Sequence, residues 1–279
     1  MKKILQCLLG VLLMFGMLQQ GYAQKKENKS SSSKTMSSSK TMSSSKTMTW
    51  TTKSDAARNL AYDGANYFMN IEFPQAYEKF MQALKLDPNF TVALVFMTNL
   101  TQGEAKKQYA QRALKSAENK TEGEKLFASL VKDGLTEQDR QDTWAKLHDM
   151  FPDGAMINNF YVVTRATPEE RFAAAQDYVA KFPDKPWMYN TIAYFYMQDK
   201  KDMENAKKNF EKYIELYPGG YNPYDSMGEY YMTAGDMDNS KKYYSMALEK
   251  YPFVNSSLTA LQKINDKNKS DKKTVSNDQ

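Results

Sequence analysis

The stretch that most constrains the fold is residues 221–254, where small, aromatic and helix-breaking residues recur at fixed positions. Gly228 and Ala247 are small, and Pro252 closes the stretch. This spacing predicts two helices joined by a turn at 235–236, because small residues permit close contact between helices and proline ends the second helix. One such pair cannot bury its apolar face alone, so its neighbours must be similar pairs.

The same pattern resembles the tetratricopeptide repeat, a helix-turn-helix unit of about 34 residues with characteristic small and aromatic positions. In residues 221–254, only Ser240 departs from the family pattern, at a position where alanine is usual. In the similar stretch at 57–90, Asp63 lies where the family has a large apolar residue. The matching residues elsewhere are Leu60, Gly64, Tyr67, Ala76, Phe80, Ala83 and Pro88 in 57–90, and Tyr189, Ile192, Ala193, Tyr196, Ala206, Phe210, Tyr213 and Pro218 in 186–218.

The resemblance implies an all-α protein, a right-handed α-α superhelix of about six helix pairs, which we expect to be closed by a capping helix at 255–265. The pattern is less regular at 91–154, through either drift or a partner contact. Helices are nevertheless expected near 91–100, 103–118, 122–132 and 137–150. Capping boxes, in which a hydroxyl and a carboxylate satisfy amides at a helix start, are predicted at Thr101–Glu104, Thr121–Glu124 and Thr167–Glu170.

The first 23 residues are typical of a secretory signal peptide. Lys2 and Lys3 precede an apolar run at 4–18, and a small-residue site follows at 21–23. Cleavage is predicted before Gln24, which would export the protein to the periplasm or the extracellular space with no transmembrane segment left. The only cysteine, Cys7, lies within the apolar run, so the mature chain would depend on helix packing rather than disulfides.

The chain divides by composition into a signal peptide (1–23), a linker (24–53), a repeat domain (54–265) and a polar disordered tail (266–279). The linker contains SSSKTM three times, at 31–36, 37–42 and 43–48. A Ser-rich segment of this kind cannot offset the entropy cost of ordering, which predicts disorder.

The net charge of +5 arises at the ends of the chain. Residues 24–53 carry seven lysines against one glutamate, whereas 54–262 carry 24 basic and 29 acidic residues. This distribution argues against a nucleic-acid partner. It leaves open a weak attraction of the lysine-rich linker to anionic groups of the cell envelope.

Catalytic signals are weak, so we expect a non-enzymatic protein with no metal and no cofactor. His148 is the only histidine, and no Gly-x-Ser-x-Gly elbow or phosphate-binding glycine loop is present. The carboxylates Asp225 and Glu229 leave a hydrolase open as an alternative, but their spacing also fits an acidic stripe on one helix.

The family resemblance implies that the first helix of each unit lines the inner groove. In the first unit the matching residues are Arg58, Ala61, Ala65, Phe68 and Met69, and two alanines occupy positions where some relatives grip a carboxylate with Lys and Asn. In the last two units, aromatic and amide groups lie beside an acidic edge, which suits an extended peptide of basic character. These ten residues, here called the groove set, are Trp187, Asn190, Tyr194, Met197, Gln198, Asn222, Asp225, Glu229, Met232 and Thr233.

The sequence therefore predicts an exported scaffold that assembles or tethers a protein or peptide partner. The main alternative is a glycan- or polymer-binding accessory protein of the envelope, in which Trp187 and Tyr194 would stack on sugar faces.

Overall fold

The computed structural model describes residues 46–277, and side chains through residue 266. The predicted signal peptide and most of the predicted linker lie outside these residues. The described part is all α, with no strand. Its helices are α1 Asp55–Met69, α2 Phe73–Leu86, α3 Thr91–Leu100, α4 Gly103–Ala117, α5 Glu122–Ser129, α6 Glu137–Met150, α7 Ala155–Val163, α8 Pro168–Lys181, α9 Trp187–Phe195 continued by a π-helical turn Tyr196–Lys200, α10 Met203–Leu216, α11 Asn222–Ala234, α12 Met237–Lys250 and α13 Asn255–Asn277.

Consecutive helices pack as pairs and form an all-α helical-repeat solenoid. We number the pairs α1/α2 to α11/α12 as units one to six, and α13 packs on unit six through Ala260 and Ile264. The predicted number of pairs and the capping helix are confirmed, as are the four helices expected in the irregular middle. The last helix continues to Asn277 in place of the predicted end near 265. Within 46–277, no helix combines the length and apolar character needed to cross a bilayer.

The small residues of the motif lie where the helices of one unit touch. A Cβ added at Gly228 would lie 2.8 Å from the ring of Tyr244 on α12, so only glycine permits this approach. Ser240, the departure from the family pattern, is fully buried and donates its hydroxyl to the Gly228 carbonyl at 2.9 Å. The substitution thus keeps the helices close and satisfies a carbonyl.

Two of the three predicted capping boxes are confirmed. Thr121–Glu124 and Thr167–Glu170 make both reciprocal bonds, whereas the prediction for Thr101–Glu104 is wrong. The Thr101 hydroxyl instead donates to the Met97 carbonyl at 2.7 Å. Gly103, the first residue of α4, has a positive φ of 58°, so the chain turns where α4 begins, and Thr101 lies at the end of α3.

Units one to four share a single core centred on α3, whose first eight residues are all buried. The Phe96 ring stacks on Phe80 with centroids 4.6 Å apart. It also meets Phe68 at 5.0 Å, Phe160 at 6.2 Å and Trp50 at 6.5 Å. Three smaller clusters hold α7 to α13 together, each limited to neighbouring helices.

Candidate partner-binding surface

The α9 part of the groove set is mostly buried. Asn190, Tyr194 and Met197 are exposed by less than a tenth, and Tyr194 packs edge-on against Phe210. The Asn190 side-chain oxygen has no hydrogen-bond partner among the described residues. Gln198 is partly exposed. Tyr194 and Met197 thus lie in the unit core, where their spacing fits packing as well as it fits a groove.

Trp187, also partly exposed, points toward the first unit. Its indole nitrogen donates to the Asn66 side-chain oxygen on α1 at 3.3 Å. The start of unit five therefore lies beside unit one, although more than a hundred residues separate them in the chain.

The α11 part of the groove set is engaged by other parts of the chain. Asn222 is buried and donates its side-chain amide to the Tyr213 hydroxyl at 3.0 Å. Asp225 accepts hydrogen bonds from the hydroxyls of Ser256 and Ser257 at the start of α13. The capping helix therefore covers this carboxylate. Beyond it on α11, Met232 is partly exposed and Thr233 is exposed.

Glu229 and Asp225 form a partly buried carboxylate pair on α11. Burial raises the pKa of Glu229 to about 7. The hydrogen bond from Tyr194 lowers this pKa in part, and the negative charge of Asp225 raises it further. That bond joins the Tyr194 hydroxyl to the Glu229 carboxylate at 2.9 Å. Burial also raises the pKa of Asp225, although the hydrogen bonds from the two serines lower it in part. At neutral pH the predicted acidic edge thus carries less charge than the sequence suggested.

The loop of unit one, Asn70–Glu72, docks on the junction between α10 and α11, and we call this the closure contact. Glu72 is 1% exposed, and one carboxylate oxygen accepts from the amides of Tyr221 at 2.7 Å and Asn222 at 3.2 Å. The other oxygen accepts from the Tyr217 hydroxyl at 2.9 Å. Burial raises the pKa of Glu72, although all three bonds favour the carboxylate. The carboxylate thus caps α11 from a distant unit, where the amides of a helix start favour negative charge.

The closure contact also involves a strained backbone. Ile71 has a φ of 64°, an unusual conformation for a β-branched residue, and its carbonyl accepts from the Tyr221 hydroxyl at 3.2 Å. The neighbouring Asn70 side chain accepts from the buried Tyr213 hydroxyl at 3.1 Å. A strained loop persists only where its surroundings fix it, so the closure contact is a specific docking of unit one on units five and six.

Residues Lys46–Lys53, here called the arm, precede α1 and pack against units one to four. This segment forms the last eight residues of the predicted linker (24–53), but it is partly buried, although it forms neither helix nor strand. Met48 is 6% exposed and Trp50 is 4% exposed, burial that offsets the entropy cost of ordering. Arg58, which the resemblance assigned to the inner face of unit one, donates to the Trp50 and Thr52 carbonyls at 3.1 and 3.2 Å. The predicted inner face of unit one is thus covered by the chain itself.

An open cleft remains between the arm, α1 and the start of α7. Its volume is about 290 Å³, and Trp187 of the groove set lines it. Tyr62 is 49% exposed and packs against Trp50, with ring centroids 4.4 Å apart. We call this the aromatic cleft, and its polar lining includes Asn66 and Asp153. Sequence reasoning missed Tyr62 and Trp50, because one lies outside the family's groove positions and the other in a Ser-rich segment.

The comparison with family models identifies one unit directly. Residues 188–219, which cover most of α9 and α10, match the model described as "Tetratricopeptide repeat". The chain contains a tetratricopeptide repeat. Among curated proteins, none matches the sequence.

Several solved structures are similar in shape to this repeat protein. The structure of PilW, "widely conserved type IV pilus biogenesis factor", is 15% identical, with 75% of this chain and 99% of that chain covered and a TM-score of 0.45. A MamA structure is 18% identical, with 70% and 92% covered and a TM-score of 0.36. TTC0263, a thermophilic TPR protein in Thermus thermophilus, is 15% identical, with 75% and 98% covered and a TM-score of 0.36. Similarities at this level carry no information about what the chain binds.

Proposed function

We propose that the protein is an exported, non-catalytic scaffold that holds a protein or peptide partner on the inner side of its repeat body. The observation that supports this most is the aromatic cleft, an open space of about 290 Å³ beside exposed aromatic and amide side chains. Aromatic side chains with a polar rim are typical of surfaces that bind peptides, because they contribute large contact areas at low entropy cost.

The contact surface in this proposal combines the aromatic cleft with the accessible members of the groove set. Trp187 belongs to both, while Gln198, Met232 and Thr233 lie farther along units five and six. Asn190, Tyr194, Met197, Asn222 and Asp225 act through packing and hydrogen bonds that position this surface. Because burial raises the pKa of Glu229 to about 7, a basic partner would bind more tightly as the pH rises above about 7.

The proposed export rests on residues outside the described range, namely the basic start and apolar run of the first 23 residues. The lysines of residues 24–45 would then lie between the body and the envelope, where a weak attraction to anionic groups could add to partner binding.

A glycan-binding role is the second candidate, and the aromatic cleft favours it too. Trp187 and Tyr62 could stack on sugar faces, with the polar groups of Asn66 and Asp153 at the edge of the cleft. The two candidates differ in what the same surface would retain from an envelope fraction.

The test is a cross-linking pull-down from the envelope fraction with the full chain. We expect a defined set of proteins that is lost with Tyr62→Ala and with Trp187→Ala. Phe253→Ala is the matched control, because this aromatic side chain is 72% exposed and lies at the end of unit six. Recovery of saccharide without protein, abolished by Trp187→Ala, would overturn the scaffold and support the glycan-binding role.

A further inference from the structure

The arm is held mainly through its backbone, in the way that a protein holds an extended peptide. Arg58 donates to the carbonyls of Trp50 and Thr52. Lys120 donates to the Thr51 carbonyl at 2.9 Å, and the Thr51 amide donates to Glu124 at 2.8 Å. Arg58 comes from α1, which follows the arm directly, whereas Lys120 and Glu124 lie about 70 residues away, just before and within α5, so the fold brings distant side chains to the arm.

Side chains of the arm alternate between buried and exposed. Met48 and Trp50 are buried, whereas Thr47 and Thr49 are exposed. This period of two is that of an extended strand, in which alternate side chains enter pockets and give specificity. Met48 packs over Gly123, where an added Cβ would lie 3.2 Å from the methionine Cγ.

The two residues after Trp50 are threonines whose hydroxyls bind carboxylates of the repeat units. The Thr51 hydroxyl donates to Glu124 at 2.7 Å, and the Thr52 hydroxyl donates to Asp87 at 2.6 Å. Glu124 is fully buried and also accepts from the Thr121 hydroxyl at 2.9 Å, which fixes its position. The surface therefore reads an apolar residue, a tryptophan two residues later, and then a hydroxyl-bearing residue.

The arm can leave this surface without breaking a helix. It precedes α1, whose first turn is capped by the hydroxyl of Ser54 on the amide of Ala57 at 3.1 Å. The helix start thus keeps its cap when the arm moves.

We propose that the arm is a built-in competitor, and that the surface beneath it binds an extended peptide of a partner protein carrying the pattern apolar-x-Trp-Thr. This inference rests on the proposed function and adds the partner's chemistry and its regulation, because the partner must displace the arm. A tethered competitor has an effective concentration on the order of 1 mM. Against an intrinsic Kd on the order of 10 µM, it weakens binding of a free peptide about 100-fold.

The test is a fluorescence-anisotropy titration with a labelled peptide of residues 46–53 (KTMTWTTK) and the full chain. We expect Trp50→Ala, which weakens arm docking, to bind this peptide at least tenfold more tightly than the unaltered chain. The double variant Trp50→Ala, Arg58→Ala should bind the peptide at least tenfold more weakly than Trp50→Ala alone. Phe253→Ala should leave the affinity of the unaltered chain unchanged. No binding by a Trp50→Ala chain of unchanged helical content would contradict the proposal, as would equal binding of a peptide with alanine in place of tryptophan.

Hydrogen exchange on the unaltered chain tests the same proposal without a variant. We expect the Thr51 amide to exchange through local opening, at least 100-fold faster than the Phe96 amide after correction for intrinsic rates. Equal protection of the two amides would overturn the proposal, because the arm would then open only when the fold unfolds. Light scattering should show that the unaltered chain is a monomer. A dimer that is lost in Trp50→Ala would mean that two copies exchange their arms, which would also contradict the proposal. None of these measurements uses the envelope partner, so their outcome is independent of the pull-down.

Discussion

Units one to four and units five and six bury their apolar surface in different ways. In the first region, the rings of four units and the arm meet around Phe96 in one core. In the second, Phe210 belongs to a small cluster whose buried residues lie on α9 with its π-helical turn, α10 and α11. A helical repeat therefore does not fix whether its inner side is open, because other parts of the chain can fill it.

The closure contact joins these two regions. Glu72 of unit one reaches the start of α11, so a buried carboxylate joins the two regions in addition to the apolar cluster between units four and five. The difference between the regions predicts how far a local change should spread along the array.

The largest expected effect comes from removing the ring at the centre of the first region. Phe96→Ala should lower the free energy of unfolding by about 3–5 kcal/mol, because a large buried side chain leaves a cavity. Hydrogen exchange should then accelerate across α1 to α7 together. The matched variant Phe210→Ala should accelerate exchange only in α9 to α11. If Phe96→Ala changed only α3, the shared core of the first region would be refuted.

The next effect concerns the junction of the two regions. Glu72→Ala should lower the free energy of unfolding by about 2–3 kcal/mol, because three donors lose a buried acceptor. Small-angle scattering should show a larger radius of gyration as the regions separate. Glu78→Ala on the exposed side of α2 is the control. An unchanged radius of gyration would mean that the closure contact does not hold the array together.

A smaller, pH-dependent effect should be confined to the second region. Because burial raises the pKa of Glu229 to about 7 from an ordinary value of 4.5, the folded state binds the proton more tightly than the unfolded state. The free energy of unfolding should therefore rise as the pH falls from about 7 to about 4.5, by roughly 1–3 kcal/mol from this group. Urea unfolding at several pH values measures it, and Glu229→Gln should remove this component whereas exposed Glu249→Gln should not. If Glu229→Gln left the pH dependence of the free energy of unfolding unchanged, this carboxylate would be excluded as its cause.

The smallest effect is expected on the outer face of unit five. Lys208 and Glu204 form an exposed ion pair at 2.8 Å on α10. Lys208→Ala should leave the midpoint of urea denaturation unchanged, because solvent screens such pairs. A clear shift of the midpoint would show that this face contributes to stability beyond the contacts described.

Much of the fold could be predicted from the sequence because each repeat unit is a local structure. The spacing of Gly228, Tyr244 and Ala247 depends only on two helices in contact, and the capping box at Thr121 depends only on one turn. The prediction at Thr101 failed because the following Gly103 adopts a positive φ.

The candidate site was less predictable because it depends on contacts between distant units. Nothing next to Glu72 in the sequence indicates burial against Tyr221, since that contact follows from the curvature of the whole array. The arm did carry a signal: Met48 and Trp50 alternate with threonine, as in a half-buried strand, but the preceding serines suggested a linker. Of the groove set, Trp187 lines the aromatic cleft, while Asn222 belongs to the closure contact.

The most direct test of the central claim, that the arm fills the inner side of the first region, is disulfide trapping in a Cys7→Ser chain. The hydroxyl of Thr52 lies 2.6 Å from the carboxylate of Asp87, so Thr52→Cys with Asp87→Cys should cross-link rapidly within one chain under mild oxidation. Mass spectrometry of peptides from the monomer band identifies the bond, and Thr52→Cys with exposed Glu211→Cys serves as the control pair. We predict nearly complete cross-linking of the first pair and little of the second. Equal, slow cross-linking of both pairs would contradict the account.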